Sequence, residues 1–325
     1  MFKRAIGSIS TLLIVLVVLT NGAVLAATSS GSGIKLSPLR FDLNLAPGKS
    51  QTVQFNVTNI TNGTATYQAV LNDFIANNTN GTPQLLVVGS KFDPHSIRQF
   101  VSSIPNFTLN AGQTKQINVK ISIPAGTAGG GYYGAIRFLP ASPNGNQTVN
   151  IAGSVAGLIL ITVPGPGMRQ DMSITSFNVS SDGQVARLFY TNKGLEANVT
   201  FTNNGNVQLP PFGKIIVQNS SNKTIETLTI NNTTPPGNVL PQSSRIFSVP
   251  LNNIGSLGKY TVTGNFGYGT SGQLLSATTS FYVVATWIVI LVIAILAVII
   301  LAIIFMPKLF RAWYRRSIKK VYNNQ

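Results

Sequence analysis

Three glycines in "AGTAGGGYYGAIRFLP" (125–140), Gly129, Gly131 and Gly134, match the G-x-G-x-x-G spacing that lets a backbone approach a dinucleotide pyrophosphate. That chemistry needs a strand before the glycines and a helix start after them, because the phosphates rest on the helix N-terminus. Here Pro124 closes the preceding strand, and "YYGAIRFLP" places Tyr132, Gly134, Ile136 and Phe138 on one face up to Pro140. No acidic residue stands about 20 positions on to hold a ribose. The spacing therefore predicts a strand, with the glycines letting the chain turn at a sheet edge.

Other catalytic groups are scarce. The chain holds no cysteine, which excludes disulfides, zinc–cysteine sites and thiol nucleophiles, and a single histidine, His95. His95 sits in "KFDPHSIRQF" two residues from Asp93, a spacing that reads as a turn rather than as a base and its orienting acid. The seven acids, Asp42, Asp73, Asp93, Asp171, Asp182, Glu196 and Glu226, are scattered, mostly in turn-like contexts. Acid–base work needs two such groups brought together. No catalytic, cofactor-binding or metal site is expected, and the chain reads as a non-enzyme; an anchored hydrolase would need a cleft holding two of these acids.

The elements around these residues read as strands. In "QTVQFNVTN", Val53, Phe55 and Val57 oppose Gln54, Asn56 and Thr58; in "KQINVKISIP", Ile117, Val119, Ile121 and Ile123 oppose Asn118, Lys120 and Ser122. This period of two marks strands with one buried and one wet face. "VAGLILITV" (155–163) is apolar throughout and predicts a strand covered on both faces. "ANVTFTNNGN" (197–206) echoes "FNVTNITNGT" (55–64), and "VLPQSSRIFSVPL" parallels "TLNAGQTKQINVKISIP". The expectation is an all-β portion of two tandem Ig-like antiparallel β-sandwiches, 28–163 and 172–284, joined by the linker 164–171, where Pro-Gly-Pro-Gly breaks regular structure.

Two segments lie outside these modules. Residues 1–27 have Lys3 and Arg4, an apolar run and small residues near Ala26 and Ala27, the form of a secretory signal peptide cleaved there. Trp287 to Met306 is a stretch of 20 residues without a charge, the length a helix needs to cross a membrane. The tail 307–325 carries Lys308, Arg311, Arg315, Arg316, Lys319 and Lys320 and no acid. Basic flanks stay on the cytoplasmic side, so Trp287, Met306, Arg315 and Arg316 delimit an anchor with the large portion extracellular and the tail inside.

Charged residues make up only 9% of the chain, and the net charge is +16. Two of the 23 basic residues fall in the leader and six in the tail, so the portion between carries fifteen against seven acids. A basic exterior suits anionic wall polymers, and nucleic acid is not an expected partner of a tethered exterior domain. Tyr133 and Arg137, on the outward face of one strand, are candidate contacts for sugar rings. The N-x-[ST] triplets beginning at Asn56, Asn59, Asn62, Asn77, Asn80, Asn106, Asn146, Asn178, Asn198, Asn219, Asn222, Asn231 and Asn232 are read as a product of the Asn- and Thr-rich composition.

Taken in order, a signal peptide, "FDLNLAPGKSQTVQFNVTN", "LNAGQTKQINVKISIP", "GGGYYGAIRFLP", "VAGLILITV", a second β-module with "VLPQSSRIFSVPL" and "GKYTVTG", one span and a basic tail resemble the WxL-interacting proteins of Gram-positive cell surfaces. The resemblance implies a first domain associated with peptidoglycan and a second associated with host extracellular proteins and secreted WxL partners. The leading expectation is a membrane-anchored, single-pass surface protein that binds wall glycan or extracellular proteins, as an adhesion or scaffold component. The alternative is a tethered, chaperone-like assembly factor that pairs a β-strand with exported subunits.

Overall fold

The computed structural model describes residues 33–76, 80–86, 95–141 and 153–322. The leader expected over 1–27 lies outside the described residues, as do Asp93, Asn77 and Asn146. The described residues form strands, one short 3-10 turn at Ile97–Gln99 and a long helix after the last strand.

In the first half, β1 (Ile34–Ser37), β3 (Ser50–Asn59) and β7 (Thr114–Ser122) form a three-stranded sheet. The opposing sheet runs β2 (Arg40–Asn44), β9 (Val155–Val163), β8 (Gly130–Pro140), β4 (Ala65–Ala76) and β5 (Pro83–Leu86), with β6 (Phe107–Leu109) paired to β4. The alternation read in the sequence dictates the register. Val53 faces Val119 and Phe55 faces Ile117, all buried between the sheets. Phe55, fully buried, meets Phe138 edge-on at 5.8 Å and Phe41 at 5.0 Å. Burying one such ring contributes roughly 1.5–3 kcal/mol.

The second half repeats the plan. One sheet runs β11 (Gln184–Val185), β10 (Met172–Ser181), β13 (Leu195–Asn203) and β16 (Ser244–Leu251). The other runs β12 (Leu188–Phe189), β18 (Gln273–Val284), β17 (Leu257–Tyr268), β14 (Phe212–Asn219) and β15 (Thr224–Ile230). Phe201 is the hub of this core, edge-on to Phe266 at 5.2 Å and to Phe247 at 5.8 Å.

The sheets are not wholly antiparallel, which corrects the sequence reading. β2 pairs β9 in parallel, Phe41 against Ile159, and β12 pairs β18 in parallel. The reason in the first half is that β1 and β2, consecutive in the chain, lie in opposite sheets: β1 pairs β3, and the chain then crosses the core edge to run beside β9.

Ion pairs contribute little to these sheets. Among the described residues two are formed, Arg40–Asp42 at 2.8 Å and Arg98–Asp73 at 3.6 Å. The wet faces carry cross-strand hydroxyl and amide bonds instead: Thr58 with Thr114 at 2.7 Å, Thr202 with Ser244 at 2.7 Å, Ser248 to Asn198 at 2.6 Å. Pairs of this kind are worth roughly 0.2–1 kcal/mol each.

One helix, α1 (Thr286–Tyr322), follows β18 directly and continues through Pro307. Within its first 26 residues, Thr286–Arg311, the most apolar run of 18 residues has a mean hydropathy of 3.8, and none of that run is buried against the rest of the chain. By length and composition this segment can cross a membrane.

Candidate functional site

The glycine-rich stretch that opens β8 lies in a strand, and two of its glycines are fixed by what packs against them. A Cβ on Gly134 would stand 2.6 Å from Ile97 Cγ1, inside the first core. At Gly131 a Cβ would collide with Gln208 Oε1 and stand 3.1 Å from Val207 Cα, both from the second half. Gly131 N donates to Asn206 O at 2.7 Å, and Asn206 Nδ2 donates to Gly167 O at 2.8 Å. Gly131 thus admits the second half's backbone and Gly134 the Ile97 side chain, and neither cradles a phosphate.

Tyr133, on the outer face of β8, is half-buried. Its ring lies parallel to that of His95, 6.4 Å away and 2° from coplanar alignment, and 5.5 Å from Phe74. His95 is held there by two bonds: its carbonyl accepts from Tyr133 N at 2.8 Å, and its Nδ1 donates to Gly131 O at 2.8 Å.

Arg137 shares this face but does not reach solvent, which corrects the expectation of an outward, exposed side chain. It is 5% exposed, and its Nε donates to Asn72 Oδ1 at 3.2 Å, while Asn72 Nδ2 donates to Leu86 O at 3.1 Å. The outer face is roofed. Phe74, Ala135, Leu160 and Leu240 form a small cluster on it, with Leu85 and Leu158 packed alongside. Leu240 comes from the second half, so β9 is covered on both sides, as its unbroken apolar run requires.

Beside that cluster the halves meet through polar groups that sequence reasoning did not find. Arg40 Nη1 donates to Pro236 O at 3.0 Å and its Nη2 to Asp42 Oδ1 at 2.8 Å. Asn238 Nδ2 donates to the same Asp42 oxygen at 3.1 Å. Arg40, Asp42, Thr162, Gln208, Pro236 and Asn238 line a cleft of about 300 Å³. Arg245 lies close by, its Nη1 donating to Asn238 O at 3.0 Å. Burial, and then the Arg40 charge, hold its pKa below the usual arginine range. The partners stand 196 residues apart in Asn238 and Asp42, so no local pattern announces the cleft.

Two further acids are tied to neighbouring segments of the chain. Asp73, 4% exposed, accepts from Ser96 Oγ at 2.5 Å, and Glu226 accepts from Asn252 N at 3.1 Å. Among the described residues no three of His, Cys, Asp and Glu are gathered to hold a metal ion. Of the anchor residues, Trp287 is 59% and Met306 69% exposed on α1. Arg315 and Arg316 lie on the same helix, and their side chains fall outside what the structure describes.

Comparison with known proteins adds the following. No curated protein matches the chain. Among solved structures, a class 5 fimbriae chaperone, CfaA, is similar at 19% identity with a TM-score of 0.38, covering 76% of this chain and 98% of that one. The E. coli chaperone DraB is similar at 12% identity and a TM-score of 0.30, covering 77% and 96%. A protein of unknown function from Porphyromonas gingivalis W83 gives 11% and 0.30, covering 77% and 100%. Residues 34–139 match the family model described as WxL Interacting Protein, peptidoglycan binding domain. That stretch, which spans β1 to β8, is similar to the peptidoglycan-binding domain of the WxL-interacting proteins.

Proposed function

We propose that this protein is a membrane-tethered surface protein whose first half binds cell-wall peptidoglycan, with no catalytic role. The observation that carries the reading is the match of residues 34–139 to a peptidoglycan-binding-domain family, on a chain that ends in a membrane-length apolar helix. The two belong together: a binding module held by a single span works at the wall face of the membrane. The basic balance of the portion between leader and span suits an anionic polymer. In this reading the basic end of α1 lies in the cytoplasm and the sheets lie outside. Tyr133, with His95 stacked on it, supplies the flat aromatic surface for a sugar ring; secreted WxL-type or host proteins are partners for the second half.

The strand-pairing alternative needs an open edge. The free edge of β7 is the best placed, but it carries the exposed residues Lys115 and Lys120, and Phe100 and Ser102 already bond its Ser122 end. Edge lysines oppose docking of another strand, so wall binding is the better reading. The test is co-sedimentation of the detergent-solubilised full chain with purified sacculi. Saturable retention, competed by soluble muropeptides, is expected; retention no greater than on cellulose would overturn the reading.

A further inference from the structure

The helix leaves the second half without a linker. β18 ends at Val284 and α1 begins at Thr286. The residue between, Ala285, is 5% exposed and donates its N–H to Ser256 O at 2.8 Å. Thr286 is tied to the other side of the same end: its N and its Oγ1 both donate to Tyr190 O, each at 2.9 Å. The first turn of the helix is therefore bonded to two loops of the β portion.

Those loops carry large exposed apolar side chains. Tyr190 is 59% exposed and Leu257, paired with Val284, is 62% exposed; Trp287 follows at 59%. Leu188 and Tyr282, which face each other across the parallel β12–β18 pair, are 44% and 48% exposed. Position along the strand decides which of these meet lipid. The polar headgroup layer is roughly 5–8 Å deep on each side of the hydrocarbon. If the hydrocarbon begins at Trp287, Tyr190 and Leu257 fall within that layer. Tyr282 and Leu188, about 13 Å up the strand at 3.3 Å per residue, stand beyond it. Lys193, in the turn after Tyr190, is exposed at the same end.

We propose that this end of the second half is a lipid-docking surface, with Tyr190 and Leu257 seated in the headgroup layer of the bilayer that α1 crosses. The β portion then stands on the membrane at a fixed angle and does not swing on a stalk. The occupant follows from continuity with the span: the surface begins at the residue where the apolar segment begins. The proposal rests on the membrane-spanning reading of α1.

The chain's lack of cysteine makes the test direct. Single cysteines at Tyr190, Leu257, Leu274 and Leu296 are labelled in the full chain and reconstituted in phosphatidylcholine–phosphatidylglycerol nanodiscs. Accessibility is read with a headgroup-spin-labelled lipid and with a water-soluble quencher. Leu274, 83% exposed at the far end of β18, is the aqueous reference. Labels at 190 and 257 are expected to be quenched by the lipid at least threefold more than the label at 274. Equal quenching at 190, 257 and 274, with 296 in the hydrocarbon, overturns the docking and leaves the span intact. A label at 296 open to water overturns the span and the docking together. A Tyr190→Ser, Leu257→Ser double variant is expected to keep the fold, since both side chains are mostly exposed, and to widen the orientational distribution of the β portion.

Discussion

Asn59 and Asn203 occupy the same place in the two halves and make the same bonds. Each is fully buried. Asn59 Nδ2 donates to Gly63 O and Leu109 O; Asn203 Nδ2 donates to Val207 O and Val239 O. Asn59 N reaches Gln113 O and Gly112 N reaches Asn59 O, as Asn203 N reaches Ser243 O and Gln242 N reaches Asn203 O. Even the left-handed residue recurs, at φ 71° in Gly112 and φ 54° in Gln242. The echo between the two Asn/Gly turns is thus a repeated backbone lock, in which one amide satisfies carbonyls from two loops.

Removing either amide leaves buried carbonyls without a donor, at about 1–3 kcal/mol each. Asn59→Ala and Asn203→Ala are each expected to lower stability by roughly 2–4 kcal/mol, measured by urea unfolding of the full chain. A loss below about 0.5 kcal/mol in either would contradict the lock.

The two fixed glycines separate core packing from contact between the halves. Gly134→Ala forces Ile97 to move and is expected to cost about 1–3 kcal/mol in thermal unfolding. Gly131→Ala acts on Gln208 and Asn206 instead. Its signature is a broader distance distribution between spin labels placed one in each half, with a smaller stability loss than Gly134→Ala.

Tyr67 gives the chain a limit on the alkaline side. Its hydroxyl, 2.9 Å from Asn59 Oδ1, has its pKa raised above the usual tyrosine value by burial. The neutral form is the one the fold favours. That contribution is fully present below about pH 10, the ordinary tyrosine value, and is lost as pH rises through the higher folded value. Tyr67→Phe is expected to cost about 1 kcal/mol at pH 7 and to flatten the decline above pH 10, followed by circular dichroism. An unchanged decline would assign it to other groups, of which Tyr132, raised by the same cause, is the first to test.

On the proposed reading, Tyr133 on the outer face of β8 meets the wall glycan and the buried Arg137 serves the fold. Tyr133→Ala is expected to weaken retention on sacculi at least fivefold with the fold intact. Arg137→Met, at a buried guanidinium, is expected to leave retention unchanged. Asn72→Ala, which strips that guanidinium of its acceptor, is expected to destabilise by about 1.5–3 kcal/mol. Loss of retention in Arg137→Met with unchanged stability would return Arg137 to the ligand surface.

How much of this was readable depended on range. β3, β7 and β9 were legible because alternation, or its absence, reports burial directly. The sheet change between β1 and β2 was not: "RFDLN" alternates equally well beside either neighbour, and nothing local fixes the partner. Arg137 was placed on the correct face of its strand, yet that face is roofed by Leu240 and its neighbours, a contact made across about a hundred residues of chain. Asn59 read as part of a composition-driven triplet, since neither its burial nor the carbonyls it meets at Leu109 can be seen from residues 55–64. The Arg40–Asn238 junction is hidden for the same reason.

The most direct measurement of the central claim is hydrogen–deuterium exchange of the full chain with and without soluble muropeptides. Protection confined to residues 34–139, and strongest around Tyr133, is the result predicted. No protection there, or protection confined to residues 172–284, would contradict a first half that binds the wall.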